Sequence, residues 1–363
     1  MRIVYLADAP YVHTQRVVGH AVARGHDAHV ISFRPAAIEG GEVHYVDGFE
    51  RAGKARYLLH ARRVAALVRD LQPDVLHALH LTSYGFLASL TGWQPSIVSV
   101  WGTDVLEAPA LTPAHGWITR RALAGAGAIT ATGVRLAEAT LPHTPRGKRV
   151  AVIPYGVDLT RFRPVARQAR DQVVIGAVAR LSSEKGLQFL LRAVAEIQAR
   201  ADAAYAPRPK LSVVLAGDGP EREKLEWLTA ELRLDGVVRF LGAVPHEDVP
   251  SVLQSCDIFA MPSTWEGFGV AALEASAMRL PVVASDIHGI PDVAVHGVTA
   301  LLVPPANVTA LADALTALIE SPDLRRRLGD AGRAHVERHY RWEDNMGLLD
   351  HLYDYVTSTS ANT

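Results

Sequence analysis

Short apolar runs alternate with longer stretches whose apolar positions recur every three or four residues, and this alternation fills almost the whole chain. In the first half, Arg2–Ala7, Ala28–Ile31, Val75–Leu79, Ser96–Val100, Ala128–Ala131 and Arg149–Ile153 read as strands. Helical periodicity predicts helices between them near 13–24, 55–70, 83–91, 114–124 and 133–140. The second half repeats the scheme. Strands are expected at Val173–Val178, Leu211–Ala216, Val237–Leu241, Asp257–Met261, Pro281–Ser285 and Ala300–Val303, with helices near 186–200, 220–233, 246–255, 268–279, 307–319 and 322–339. Strands that alternate with helices make parallel, doubly wound α/β sheets. Ile153-Pro-Tyr-Gly-Val-Asp runs into Phe162-Arg-Pro and the polar stretch Arg167–Asp171, which places a linker near 160–172. Two domains are therefore expected, 1–162 and 170–340, followed by a closing helix over 341–358 with no strand after it.

The densest chemistry lies in residues 261–286. Pro262 ends a short apolar strand, and a loop carrying Glu266, Gly267 and Gly269 leads into a helix marked by Val270, Leu273, Ala277 and Leu280. Glu274 is four residues after Val270 and so points toward the apolar side of that helix. A buried carboxylate is costly unless it is hydrogen-bonded, and a ribose diol satisfies one well. Gly267 and Gly269 let backbone approach a ligand, and the N–H groups of Phe268, Gly269 and Val270 open a helix N-terminus suited to phosphate. The bland alternative is a loop glutamate and a helix glutamate in surface ion pairs.

Two further turns fall at strand ends. Val174-Ile-Gly-Ala-Val-Ala-Arg180-Leu-Ser-Ser-Glu-Lys185-Gly186 puts two cations where a parallel sheet offers a ligand site. Arginine and lysine there can neutralise a diphosphate; a solvated loop is the other reading. Ala216-Gly-Asp-Gly-Pro-Glu221 is a tight turn in which Gly217 serves either backbone geometry or ligand contact.

Glu266-x7-Glu274 inside Pro-Ser-x-x-Glu-Gly-Phe-Gly-x-x-x-Leu-Glu-Ala, together with Gly-x-x-x-Arg180-x-x-x-x-Lys185-Gly, resembles the signature of the retaining GT-B glycosyltransferases of family 4, the group 1 type. The resemblance is strong over 173–305 and weak before 130. It implies two Rossmann-like domains facing across a cleft, with a UDP- or GDP-linked sugar in the C-terminal one and the acceptor on the N-terminal one. On that pattern Glu274 holds ribose, Arg180 and Lys185 the diphosphate, and Glu266 with the Phe268–Val270 backbone the donor sugar. Leu241 to Val244 would cradle the base, and His288 or Gly289 would line the donor pocket. The reaction implied moves a hexosyl unit to a hydroxyl of a glycan, glycolipid or small molecule. The leaving phosphate takes the acceptor proton, so no protein nucleophile is needed.

Departures from the family pattern fall mainly in the first half. A Gly-Gly loop is replaced by Ala7-Asp-Ala-Pro-Tyr11-Val-His13-Thr-Gln-Arg16, whose side chains, Tyr11 and His13 among them, are expected on the acceptor side. Val100-Trp101-Gly-Thr-Asp104 has tryptophan where the family often has histidine, so no acid–base role transfers; Asp104 binds an acceptor hydroxyl or caps a helix. The usual Ala-x-Gly-x-Pro reads Ala277-Met-Arg-Leu-Pro281, which puts close helix–strand packing in doubt.

Composition changes the picture little. A chain of 363 residues with 49% hydrophobic and 21% charged residues is ordinary for a globular protein. The lone Cys256 excludes an intrachain disulfide and fits a reducing cytoplasm; no run reaches the roughly 20 apolar residues of a membrane span. Net charge is −1, but residues 1–165 carry +6 and the remainder −7. A basic first half favours an anionic acceptor or an anionic lipid surface, while no motif points to nucleic acid. The helix around 51–69, with Arg51, Lys54, Arg56, Arg62, Arg63 and Arg69, either lies on an anionic bilayer or is a solvated face. Sixteen histidines show no metal-ligand spacing and no Asp-x-Asp occurs, so a metal-independent reaction without a cofactor is expected. The first strand lacks Gly-x-Gly-x-x-Gly, which argues against a nicotinamide dehydrogenase. A sugar phosphorylase, a nucleotide-sugar epimerase and a non-catalytic sugar-nucleotide-binding subunit remain alternatives on the same scaffold.

Overall fold

The computed structural model describes residues 1–48, 56–165, 171–204 and 209–360. The chain divides into two compact units, Met1–Pro154 with Asp344–Thr363 and Tyr155–Glu343.

The first unit is built on seven strands: β1 (Arg2–Leu6), β2 (Asp27–Ser32), β3 (Glu42–Tyr45), β4 (Val75–Leu79), β5 (Ser96–Val100), β6 (Ala128–Ala131) and β7 (Val150–Val152). Their order is β3-β2-β1-β4-β5-β6-β7, all parallel. Every residue of β4 and β5 is buried. Strands covered on both faces read as unbroken apolar runs, which is why these two were legible with their observed ends. The helix Trp342–Ser360 enters this unit through a buried polar network. Tyr353 Oη lies 3.0 Å from Tyr5 Oη and 2.8 Å from His77 Nδ1, while His77 Nε2 lies 2.8 Å from Ser99 Oγ. A buried polar chain that is fully paired fixes one docking position.

The second unit carries β8 (Gln172–Val178), β9 (Lys210–Ala216), β10 (Val238–Gly242), β11 (Ile258–Met261), β12 (Val282–Ser285) and β13 (Ala300–Val303). The order is β10-β9-β8-β11-β12-β13, again all parallel. Leu190, Leu191 and Val194 of helix Leu187–Ala204 and Leu311, Leu315 and Leu318 of helix Val308–Glu320 close over Ile175, Val213 and Ile258. Burying each such side chain stabilises the fold by about 1.5–3 kcal/mol.

Several elements depart from expectation. β3 was not anticipated, because Glu42-Val-His-Tyr is a four-residue edge strand without a buried position. The helix expected over 55–70 breaks at His60 into Arg56–Leu59 and Ala61–Leu71, and Arg51 and Lys54 lie outside the described residues. A π-helical turn, Leu81–Gly85, precedes helix Phe86–Thr91. Short helices at Thr103–Leu106, Ala108–Leu111 and Ile290–Val293 are too brief to show periodicity. Among the described residues no helix is long and apolar enough to cross a membrane.

Candidate active site

In the second unit the strand order reverses between β8 and β11. Connections from these neighbours run off in opposite directions, which opens a crevice at their C-terminal ends. Two loops border it.

The loop after β8 is shaped by backbone packed on backbone. Leu181 N–H donates to Asp218 O at 2.9 Å, and Glu221 N–H donates to Leu181 O at 2.9 Å. A Cβ on Gly217, whose φ is +138°, would sit 1.8 Å from Ala179 O, and one on Gly219 would sit 2.4 Å from Leu181 O. The Gly217 N–H itself donates to Gly242 O at 2.8 Å. Protein backbone therefore demands this glycine and uses its amide.

Gly186 brings the two loops together. Its φ is +65°, and a Cβ there would lie 2.0 Å from Pro262 O. Thr264 N–H donates to Glu184 O at 2.8 Å, and Lys185 Nζ donates to Glu266 Oε2 at 2.8 Å. The two side chains are 22% and 18% exposed, so this ion pair is mostly withdrawn from water. Arg180, on the same loop, is exposed and makes no side-chain hydrogen bond or ion pair among the described residues.

The loop after β11 ends at Gly269, where φ is +95° and helix Val270–Ala277 begins. Phe268 is buried, its ring 5.9 Å from Tyr155 and 6.0 Å from Tyr340. Its side chain anchors the loop, which leaves only its backbone for a ligand. The N–H groups of Gly267, Phe268, Gly269 and Val270 donate to no other group among the described residues. Those of Gly269 and Val270 belong to the positive end of the helix, and those of Gly267 and Phe268 lie in the loop just before it.

Glu274 does face inward, with its side chain 7% exposed. Its Oε1 accepts a hydrogen bond from His246 Nε2 at 2.7 Å. A carboxylate only accepts, so Nε2 carries the proton, and Arg161 Nη1, 3.3 Å from Nδ1, donates to the other ring nitrogen. These two contacts select the neutral Nε2–H tautomer. His246 was not among the expected site residues. It follows β10 in the segment where Leu241 is exposed and Val244 half-buried. His288 is exposed, and a Cβ on Gly289 would lie 2.4 Å from Gly267 O, so that glycine serves packing. The family's glycine position is filled by Arg279 at φ +56°, so the chain keeps the left-handed turn with an arginine in it.

In the first unit the Tyr11 ring lies 5.3 Å from His13 and 5.4 Å from Trp101. The loops after β1 and β5 thus meet through aromatic rings, with Tyr11 44% exposed. Asp104 is 1% exposed and accepts from the N–H groups of Leu81 at 2.9 Å, Gly102 at 2.8 Å and Trp101 at 3.2 Å. Its carboxylate is consumed in holding the loop, and it does not cap the helix, whose N-cap is Gly102. The acceptor-hydroxyl expectation for Asp104 is corrected to one of positioning Trp101. Spacing also failed to show that His29, Glu42 and His44 converge across β2 and β3.

Comparison with known proteins bears on this geometry. The family model described as glycosyl transferases group 1 matches residues 160–335, and the one described as glycosyl transferase 4-like matches residues 2–133. D-inositol 3-phosphate glycosyltransferase from Corynebacterium jeikeium is 37% identical over 221 residues, covering 56% of this chain and 51% of the relative. The chain spans about half the length of the curated relatives it matches. Among solved structures, sucrose-phosphate synthase from Thermosynechococcus elongatus superposes with a TM-score of 0.84 at 20% identity, covering 99% of this chain and 100% of that one. Anabaena HepE in complex with UDP gives 0.81 at 19% identity, covering 98% and 100%. With both units matched and the fold shared throughout, the chain belongs to the group 1 glycosyltransferases and has their GT-B fold.

Proposed function

We infer that this chain transfers a hexosyl unit from a UDP- or GDP-linked sugar to a hydroxyl of a glycan, glycolipid or small-molecule acceptor, with retention at the anomeric carbon and without a metal ion. The observation that carries this reading is the meeting of Lys185, Glu266 and the undonated N–H groups of 267–270 beside exposed Arg180.

Each group has a use in that chemistry. Two cations and a helix N-terminus supply the positive charge that a diphosphate needs as it leaves, which is the work a divalent metal does elsewhere. Without ligand, Lys185 and Glu266 neutralise one another. When a phosphate draws the ammonium away, Glu266 is free to accept hydrogen bonds from donor-sugar hydroxyls. Glu274 offers Oε2 to ribose while His246 holds Oε1. Leu241 and Val244 would flank the base. The acceptor hydroxyl then attacks the anomeric carbon from the face the phosphate leaves. A new C–O bond forms, the bond to phosphate breaks, and the proton passes to the departing phosphate oxygen.

Tyr11, His13 and Trp101 would form the acceptor platform, since rings stack on the apolar faces of sugars. The +6 charge of residues 1–165 and the inositol phosphate named for the Corynebacterium relative favour an anionic polyol or its lipid-linked form. Exposed Leu58 and Leu59 beside Arg62 and Arg63 would suit peripheral contact with an anionic membrane if the acceptor is a lipid.

The test is release of nucleoside diphosphate from a panel of UDP- and GDP-sugars, with and without a chelator, followed by NMR of the product anomer. Transfer that persists with chelator and keeps the donor's anomeric configuration is expected. No release from any sugar nucleotide, or inversion, contradicts the reading.

A further inference from the structure

β3 is the outermost strand of its sheet and is held only through β2. Three side chains meet across that pair. The parallel register sets His29 opposite Glu42 and Ile31 opposite His44. Because side chains alternate along a strand, His29, Glu42 and His44 share one face. His29 Nδ1 is 3.1 Å from His44 Nε2 and 3.5 Å from Glu42 Oε2, and Glu42 Oε1 is 3.7 Å from His44 Nε2.

These separations match a known coordination triangle. Two nitrogens bound to one tetrahedral zinc ion at about 2.0–2.1 Å stand about 3.3 Å from each other. The three donors already stand at that spacing, and the donor set of two imidazoles and a carboxylate suits zinc. The sites of attachment are well defined: the His29 side chain is 9% exposed and that of His44 20%, while Glu42, at 66%, leaves the fourth position open to water. His29 Nε2 is buried, with Asp27 Oδ1 at 3.1 Å but not aligned for a hydrogen bond. Asp27 is itself held by Arg2 Nε at 2.7 Å. A small ring rotation on metal binding would complete the carboxylate–histidine–metal arrangement that orients zinc-binding histidines.

We propose that His29, Glu42 and His44 form a zinc site, a three-ligand clip with water in the fourth position that fastens the edge strand β3 to β2. The three residues lie on the edge pair β2–β3, whereas the loops carrying Tyr11 and Trp101 follow β1 and β5. The site therefore serves the sheet edge and takes no part in transfer. Edge strands are the positions most prone to fray or to pair with another chain, which gives a clip there a use.

The experiment uses the full chain stripped of metal. Calorimetric titration with zinc chloride should show one equivalent bound with micromolar or tighter affinity. The melting temperature should rise with zinc excess, and cobalt(II) should give the intense visible bands of a tetrahedral site. His44→Ala should abolish that equivalent, and Glu42→Gln, at an exposed position that leaves the fold intact, should weaken it at least tenfold. Absence of a bound equivalent in the unmodified protein overturns the proposal. Unchanged affinity in either variant overturns this ligand set.

Discussion

The contact between His246 and Glu274 makes a prediction that can be worked through. His246→Ala removes the side-chain partner of a carboxylate that is 7% exposed. A hydrogen bond to a charged group contributes about 1.5–3 kcal/mol, and a buried acceptor left unpaired costs about 1–3 kcal/mol. A loss near 2 kcal/mol is expected, which for a unit the size of Tyr155–Glu343 lowers its melting temperature by about 4–8 °C. Glu274→Ala alone also loses the bond but leaves no buried charge behind. In the double variant there is no stranded carboxylate, so its loss should fall short of the sum of the two single losses by about 1–2 kcal/mol. The assay is denaturant unfolding of the four proteins of the cycle in one buffer. Additivity to within about 0.5 kcal/mol would refute the claim that these side chains act as a pair.

Three further outcomes follow from the structure. Lys185→Ala and Glu266→Gln should each lower turnover by about 100-fold or more while melting within a few degrees of the parent, as expected for groups that stabilise a charged transition state; activity retained in both would remove this site from the reaction. Burial pushes the His77 imidazole down to about 3. The unfolded chain therefore binds a proton below its ordinary 6.5 while the folded protein does not, and stability falls as pH drops from 6.5 toward 3, by about 2 kcal/mol between pH 6.5 and pH 5. His77→Gln should show a flatter acid limb in unfolding experiments, and an unchanged slope would contradict the buried neutral imidazole. Arg279→Gly relieves a non-glycine residue at φ +56° and should raise stability by about 1 kcal/mol in thermal melting, a lower melting temperature counting against strain at that turn.

Most strands were legible because a parallel sheet buries both faces, so Val75–Leu79 and Ser96–Val100 announce themselves as apolar runs. β3 did not, since an edge strand of four partly exposed residues carries no such run. The site was legible where one loop and its helix hold the chemistry in sequence: Glu266 and Glu274 share one strand–loop–helix unit, as do Arg180 and Lys185. It was not legible where the contact depends on how strands are ordered. His246 reaches Glu274 because the segment after β10 meets the helix after β11, a neighbour that no spacing encodes. His29 and His44 are brought together only by the register of β2 on β3. Gly217 and Asp104 show the converse, residues whose motif positions suggested ligands and whose surroundings turned out to be their own backbone.

The most direct test of the central claim, that the second unit's β8–β11 edge holds a nucleoside diphosphate sugar, is thermal melting of the purified chain against UDP, GDP, their sugars and NAD without added metal. Binding to the folded state raises the melting temperature with ligand excess over Kd. A shift with UDP or GDP compounds, absent with NAD and diminished in Lys185→Ala, is the predicted result. No shift with any sugar nucleotide, or an equal shift in Lys185→Ala, would contradict it.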